Sequence, residues 1–311
     1  MGGGGETARD GDPEIAAAFA AHSPSYANGS EITIDGTTFD VGRTVRAYVQ
    51  TDAGAVFSDP DGTVWAADGA SVVEVGRVNA DVPHLVADGA RAAWVSPGDS
   101  SGGVPTFTVY DQATGQTIDD PVQNVEGMSD VRDGRNAAVV YALDGETAYV
   151  KTEQGAAAWD TASGDITFLD QQADGFTITD VQDGTFVYRR GDDIVVGPSL
   201  QQGTKLDLWE AYTLSPDGRY LLAEPEPDDV RVYDLAENRT LPKDDMGYEY
   251  LGGYAWIDTD HYAATGFTET NGEGPIDILT CTVSTGACDV VAKNIGTLEE
   301  GFNIPIGVNV H

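Results

Sequence analysis

One short phrase returns along the chain, and its repetition constrains the fold more than any other feature. Residues 109–115 read VYDQATG, residues 158–164 read AWDTASG and residues 232–238 read VYDLAEN, and a worn copy, CTVSTG, occupies 281–286. Each full copy is an apolar strand end, an aromatic residue, an Asp and a turn that ends on Gly or Asn. A strand–turn–strand unit repeated about every 40 residues is typical of a radial β architecture, in which similar sheets surround an axis.

Val, Thr, Tyr and Ile runs cut by Asp-Gly turns predict strands along nearly the whole chain. They group into six four-strand units from about residue 43, spanning about 46–75, 84–118, 127–170, 174–206, 209–242 and 250–294. This spacing is within the range for propeller blades. Residues 1–22 are expected to be a flexible tether with a short helix at 14–20, and residues 23–311 a single propeller domain.

The two ends of the chain are expected to complete one further blade. Residues 25–28, 31–35 and 37–41 predict three strands with an Asp35-Gly36 hairpin turn, and residues 303–310 predict a lone last strand. Pairing of that strand with the first three would close the ring and leave no exposed sheet edge. The prediction is an all-β, seven-bladed β-propeller. The alternative is six blades with a stray hairpin.

One unit resembles a known group of proteins. Residues 214–222 read LSPDGRYLL and residues 230–234 read VRVYD, which is similar to WD-repeat-like, TolB-type propellers. In such blades Ser-Pro-Asp-Gly makes the turn between the first two strands. The chain departs from true WD repeats, because no Gly-His pair opens the units and Trp-Asp occurs only at Trp159-Asp160. The resemblance implies the fold and no particular function, since propellers include enzymes, receptors and scaffolds.

The charge of the chain restricts its partners. With 52 acidic and 16 basic residues, the net charge is -36 at pH 7. Such a chain repels nucleic acid and anionic lipid, so we expect neither as a partner. The charge favours solubility, cations or a basic protein partner. The alternative is an acidic surface inherited from a salt-adapted or GC-rich source, with no binding role.

The two cysteines indicate whether the protein works in an oxidising or a reducing compartment. Cys281 and Cys288 bracket a turn, and in a hairpin they would face each other within reach of a disulfide, which implies an oxidising environment. This hairpin resembles those of secreted actinobacterial propellers.

No apolar run approaches the ~18 residues of a membrane span, and MGGGGE at the start resembles the Gly-rich tether of bacterial lipoproteins or a cloning scar. We therefore expect a monomer, secreted or lipid-anchored, in an extracellular or cell-envelope location. The alternative to the disulfide is that Cys281 and Cys288 are two free thiols in the cytosol.

Acidic and aromatic residues gather in two predicted loops. In a propeller, the loop between the second and third strands of a blade lies on the same face as the connection between blades. The predicted contact residues in these loops are Glu224, Glu226, Asp228, Asp229, Asp244, Asp245, Tyr248 and Tyr250. Such a patch suits an amine-bearing ligand, a divalent cation or an Arg/Lys-rich protein surface. The alternative is solvated charge scattered over loops.

These features predict a binding or scaffold propeller of a bacterial envelope, with no catalysis and no cofactor; metal binding is left open. The alternative is a propeller-type enzyme, a hydrolase, lyase or dehydrogenase, with its site at the central channel. Such sites usually need a cluster of His, Arg, Tyr or metal ligands. The chain has only 4 His residues, and no cluster is evident among them.

Overall fold

Seven four-stranded antiparallel sheets make up the computed structural model, which describes residues 12–97, 105–121, 138–152, 154–170, 176–244, 246–269 and 274–308. Six sheets each consist of four consecutive strands, and the seventh joins three N-terminal strands to one C-terminal strand. The predicted all-β, seven-bladed propeller is confirmed, and the six-bladed alternative is wrong.

The strands follow the chain in blade order. The closing blade contains β1 (Ser25–Asn28), β2 (Glu31–Ile34), β3 (Thr37–Asp40) and the last strand, β28 (Phe302–Asn303). Blade one contains β4 (Ala47–Thr51), β5 (Gly54–Ser58), β6 (Thr63–Ala67) and β7 (Val72–Arg77). Blade two contains β8 (Leu85–Asp88), β9 (Arg91–Ser96), β10 (Thr106–Asp111) and β11 (Gln116–Pro121). Blade three contains β12 (Val139–Asp144), β13 (Thr147–Thr152), β14 (Gly155–Asp160) and β15 (Ile166–Phe168).

The remaining blades have the same order. Blade four contains β16 (Thr177–Gln182), β17 (Thr185–Arg190), β18 (Asp193–Ser199) and β19 (Gln202–Leu206). Blade five contains β20 (Glu210–Leu214), β21 (Tyr220–Glu224), β22 (Arg231–Asp234) and β23 (Arg239–Thr240). Blade six contains β24 (Tyr250–Trp256), β25 (His261–Phe267), β26 (Ile276–Thr282) and β27 (Cys288–Ala292). A short helix, α1 (Pro13–Ala20), precedes the sheets, and a 3-10 turn, Leu298–Glu300, precedes β28.

The first strand of each consecutive blade lies nearest the axis. From blade one to blade six, each of these strands contacts the first strand of the next blade. Four of them, in blades three to six, have a register shift, which falls at Tyr141, Thr179, residues 212–213 and Tyr254. A β-bulge bends a strand and redirects its side chains. These shifts therefore help to shape the wall of the central channel.

The repeated sequence phrase forms the turn between the third and fourth strands of a blade. In blade three, Asp160 Oδ1 accepts hydrogen bonds from the backbone N–H groups of Ala162 and Ser163 at 2.9 and 3.0 Å. These bonds hold the pKa of the Asp160 carboxyl below its usual value. Gly164 closes the turn with a φ of 81°, in the left-handed region that favours glycine. Asp234 accepts the equivalent bonds in blade five. The phrase is thus a folding element.

The chain ends close the ring without a covalent bond. Ala27 and Asn28 of β1 pair with Asn303 and Phe302 of β28. The structure assigns only these two C-terminal residues to the strand, where the sequence predicted 303–310. The Asn303 side-chain amide donates to the backbone carbonyl of Val45 at 3.1 Å, which ties β28 to the segment before blade one.

Beyond β28 the chain crosses blade one and reaches blade two. Ile306 forms a bridge with Val49, and the Gly307 N–H donates to the Tyr48 carbonyl at 2.8 Å. The Gly307 carbonyl in turn accepts from the Leu85 N–H at 2.9 Å. A Cβ atom at Gly307 would lie 1.9 Å from the Leu85 carbonyl oxygen, so only glycine fits this crossing.

Helix α1 docks on the closing blade and blade one. Asp12 caps its first turn by accepting the Glu14 N–H at 2.9 Å, and the buried side chains of Ile15, Ala18 and Phe19 belong to the core of this region. A helix this short is not stable alone in water, so its packing stabilises it. In the described part of the chain, no helix is long and apolar enough to cross a membrane.

Cys281 and Cys288 form a disulfide, as the sequence predicted. They are directly opposite each other on β26 and β27, and both are buried in the core of blade six.

We expect that replacing both cysteines with Ala lowers the free energy of unfolding. On the chain-entropy model, a cross-link that closes a loop of about eight residues contributes roughly 2.5 kcal/mol. Urea unfolding of the double variant tests this value, with the oxidised protein as the reference. Equal stability of the two proteins would contradict the prediction.

We also expect Phe302→Ala to destabilise the whole propeller, because Phe302 is buried where β28 meets the closing blade and lies 6.3 Å from the Tyr26 ring. Removing a buried Phe side chain costs about 3–5 kcal/mol. Phe168→Ala is the matched control, since Phe168 on β15 is 38% exposed. Guanidinium unfolding of both variants measures the loss in the free energy of unfolding. A Phe302 variant no less stable than the Phe168 variant would show that β28 is dispensable.

Candidate binding face and central channel

A cavity of about 780 Å³ runs through the centre of the ring. Its wall comes mainly from the first strands of the blades and includes Tyr141, Thr179 and Tyr254 from the register shifts. Its size is within the ~300–1,000 Å³ that is usual for ligand sites. Among the described residues that line it, Asp88 and Asp180 are carboxylates, and none is Lys or Arg. The wall therefore favours neutral or cationic groups.

Asp180 is the most perturbed carboxyl group of this wall. Its Oδ1 accepts the Val181 N–H at 2.8 Å, and its Oδ2 accepts the Leu214 N–H at 2.7 Å and the Thr213 hydroxyl at 2.9 Å. Burial raises its pKa to about 6, against the opposing effect of these hydrogen bonds. The two contacts to β20 join blade four to blade five, so Asp180 has a structural role.

The same kind of contact recurs between other blades. Asp88 Oδ2 accepts the Gly145 N–H at 2.8 Å, which joins blade two to blade three. Asp144 accepts the Asp183 and Gly184 N–H groups at 3.3 and 3.1 Å, which joins blade three to blade four. Part of the protein's acidity therefore stabilises its inter-blade contacts.

His84, which precedes β8, is another titratable group that lines the cavity. Burial lowers the pKa of its imidazole, which favours the neutral form. Within the described ranges, no three or more His, Cys, Asp or Glu side chains are grouped as they would be around a metal ion.

At one mouth of the channel, Glu224 lies beside two phenols. Tyr212 donates its hydroxyl hydrogen to Glu224 Oε1 at 2.7 Å, and Glu224 is only 8% exposed. Burial, and then the hydrogen bond to Glu224, raises the pKa of Tyr212 well above its ordinary value. Burial also raises the pKa of Tyr250 to about 12, with further contributions from the charges of Glu224 and Asp228. The structure thus brings three of the predicted contact residues together: Glu224, Asp228 and Tyr250.

The charge of Glu224 is not compensated in the described structure. Glu210 on β20 is its direct cross-strand partner, so two like charges lie opposite each other. Arg189 forms an ion pair with Glu210 at 2.5 Å. No ion pair joins Glu224 to any basic residue that the structure describes.

Asp229, by contrast, is fully engaged. The single Nε–H of Arg231 is shared between the two Asp229 oxygens, with Nε 2.8 and 3.0 Å from them, and Lys243 Nζ lies 3.2 Å from Oδ1. Burial acts to raise the pKa of Asp229, but these two cations together hold it below its ordinary value. Lys243 also donates to the carbonyls of Val230 and Leu251, so this cluster fixes the connection between blades five and six.

The other predicted contact residues are placed as follows. Glu226 and Asp228 are exposed in the loop between β21 and β22. Tyr248 donates to Asp277 Oδ2 at 2.6 Å, and its ring occupies the space where a Cβ of Gly266 would be.

Asp244 is exposed, and its N–H donates to the carbonyl of Gly286, in the turn between β26 and β27. That turn is at the opposite end of β26 from the β25–β26 loop, next to which Tyr250 pairs with Phe267. A seven-residue strand separates the two ends by roughly 20 Å. Asp245 lies outside the described residues.

Sequence reasoning missed two aromatic residues that are hydrogen-bonded to Glu224. Trp209 is 61% exposed, and its N–H donates to the Glu224 carbonyl at 2.7 Å. Tyr212 is 38% exposed and contacts the Glu224 carboxylate. One signal was present, because Trp209 precedes β20 in a connection between blades, the type of loop already assigned to this face. Tyr212 had no such signal, since its orientation depends on the register shift in β20.

Comparison with known proteins shows the fold alone. No family model matches the chain, and no curated protein matches its sequence. Among solved structures, it is similar to a prolyl endopeptidase with a TM-score of 0.57 and 13% identity, over 94% of this chain and 52% of the other. It also matches a structure of U3-55K with a TM-score of 0.48 and 12% identity, over 87% and 86% of the two chains. The chain therefore spans about half the length of the prolyl endopeptidase, and its shared feature is the β-propeller.

Proposed function

We propose that this propeller is a binding or scaffold module that recruits a basic protein segment. Its contact face is the end of blades five and six that presents Glu224, Glu226, Asp228 and Tyr250, with Trp209 beside them. One observation carries the proposal: among the described residues, Glu224, Glu226 and Asp228 have no ion pair with a basic residue, and exposed aromatic residues lie next to Glu224. The nearby cations, Arg189 and the pair around Asp229, are already bound to other carboxylates.

Electrostatics and apolar contact both support such a partner. Uncompensated carboxylates raise the local concentration of a positively charged segment and orient it, and this effect weakens as salt increases. Exposed Trp and Tyr rings supply contact area and attract cations at their faces. The engaged residues of the same region, Asp229 and Tyr248, would hold the loops in position for binding.

We further propose that the protein works outside the cytoplasm, as a secreted or lipid-anchored monomer of a bacterial envelope. The Cys281–Cys288 disulfide supports this, because such bonds persist mainly in oxidising compartments. The resemblance of the disulfide hairpin to those of secreted actinobacterial propellers agrees with the same setting.

Catalysis in the central channel is the second candidate. It is favoured by Asp180, whose pKa of about 6 suits proton transfer near neutral pH. Three donors already bind this carboxylate and join two blades through it. This structural role is why we favour binding.

The contact face predicts a charge-specific loss of affinity. The probe is a nine-residue oligolysine, measured by calorimetry at low and at physiological salt. The variant Glu224→Gln/Glu226→Gln/Asp228→Asn should bind it at least tenfold more weakly, a change of about 1.4 kcal/mol. The charge-matched control is Asp35→Asn/Asp165→Asn/Glu237→Gln, which alters three exposed residues in turns at the opposite end of the blades.

The control should weaken binding less than twofold. Equal weakening by the two triple variants would show attraction to overall charge and contradict a specific face. Failure of the native protein to bind oligolysine would also overturn the proposal.

A further inference from the structure

We infer that Glu224, Tyr212 and Trp209 form the anchor for a single arginine side chain of the partner. This inference rests on the proposed function and adds the chemical group that the face recognises. It concerns the guanidinium group specifically, not positive charge in general.

The first argument is the incomplete charge pairing at the mouth. Glu210 and Glu224 lie opposite each other on β20 and β21, and Arg189 compensates only Glu210. Glu224 is more than nine-tenths buried, so solvent compensates its charge poorly. A buried carboxylate gains most from a partner cation that also donates hydrogen bonds. An incoming arginine would do for Glu224 what Arg189 does for Glu210.

The second argument is hydrogen-bonding capacity. An ionised carboxylate has about four acceptor positions, two on each oxygen. Within the described residues, the side chain of Glu224 accepts one hydrogen bond, from the Tyr212 hydroxyl to Oε1. A guanidinium can donate two parallel N–H bonds to a carboxylate, whereas an ammonium acts as a point charge. The free capacity of Glu224 therefore suits a bidentate donor.

The third argument is a pair of exposed aromatic residues that are hydrogen-bonded to Glu224. Trp209 is bonded through its backbone N–H to the Glu224 carbonyl, and Tyr212 is bonded through its hydroxyl to the carboxylate. Both rings are accessible, with 61% and 38% exposure. A planar guanidinium stacks on aromatic faces better than an ammonium does.

Stacking of a guanidinium on a Trp ring that also contacts a carboxylate occurs elsewhere in this protein. In blade one, the Arg43 guanidinium lies 3.7 Å from the centre of the Trp65 ring. The indole N–H of Trp65 donates to Asp59 Oδ2 at 2.9 Å, so one Trp is engaged by a carboxylate and by a guanidinium. At Glu224, a carboxylate likewise lies next to an aromatic side chain, that of Tyr212, and an arginine of the partner would supply the guanidinium.

The test uses three synthetic peptides that differ at one position. A Gly/Ser nonapeptide carries a central Arg, a central Lys or a central citrulline, the neutral analogue of Arg. Binding is followed by nuclear magnetic resonance of the Trp209 indole N–H, assigned by its loss in Trp209→Phe. We expect the Arg peptide to shift this signal and to bind at least fivefold more tightly than the Lys peptide. The citrulline peptide should leave it unchanged.

Two single variants separate the anchor from its surroundings. Glu224→Gln should weaken Arg-peptide binding at least tenfold, while its amide oxygen retains the hydrogen bond from Tyr212. Glu226→Gln removes the same charge from an exposed neighbour and should weaken binding less than threefold. Equal affinity for the Arg and Lys peptides, or equal effects of the two variants, would overturn the inference.

The outcomes for the two proposals are distinguishable. If oligolysine binds through the face but the peptides show no preference for Arg, the anchor is wrong and the proposed function stands. If neither oligolysine nor the Arg peptide binds, both are wrong.

Discussion

The structure depends on the pairing of its two chain ends. A blade buries its faces only against its neighbours, so an open ring would leave two blades half exposed. Pairing of β1 with β28 prevents this, and the crossing at Gly307 extends the closure to blades one and two. The central channel and its mouth exist only because the ring is closed. The binding proposal therefore depends on a few hydrogen bonds between residues almost 280 positions apart.

The acidic residues of the chain occupy two distinct kinds of position. Asp160 and Asp234 cap turns, and Asp88, Asp144 and Asp180 accept backbone N–H groups of the next blade. Apolar side chains cannot accept hydrogen bonds from these backbone N–H groups, so the contacts require polar side chains such as Asp. The side chains of Glu224, Glu226 and Asp228 have no such role among the described contacts, and all three lie at the end of β21 or in the loop that follows it. A net charge of -36 thus combines a folding requirement with a localised surface.

Local patterns predicted much of this fold. The strands of the closing blade, the shared turns and the disulfide follow from residue types within short segments, such as Asp35-Gly36 and the Cys281–Cys288 hairpin. The candidate site was less predictable because it depends on contacts between segments. The compensation of Asp229 by Lys243, the orientation of Tyr212 and the bond of Asp244 to the turn at Gly286 all depend on contacts between segments. A single sequence shows the residue types, but it does not show which charged side chains form ion pairs in the folded protein.

Native-state hydrogen exchange of the chain ends tests ring closure most directly. The amide groups of β1 and β28 should exchange only through global unfolding, at the same free energy as those of central strands such as β13. They should also lose protection together as denaturant increases. Exchange of β28 through local fraying, while β13 stays protected, would contradict a ring held closed by its two ends.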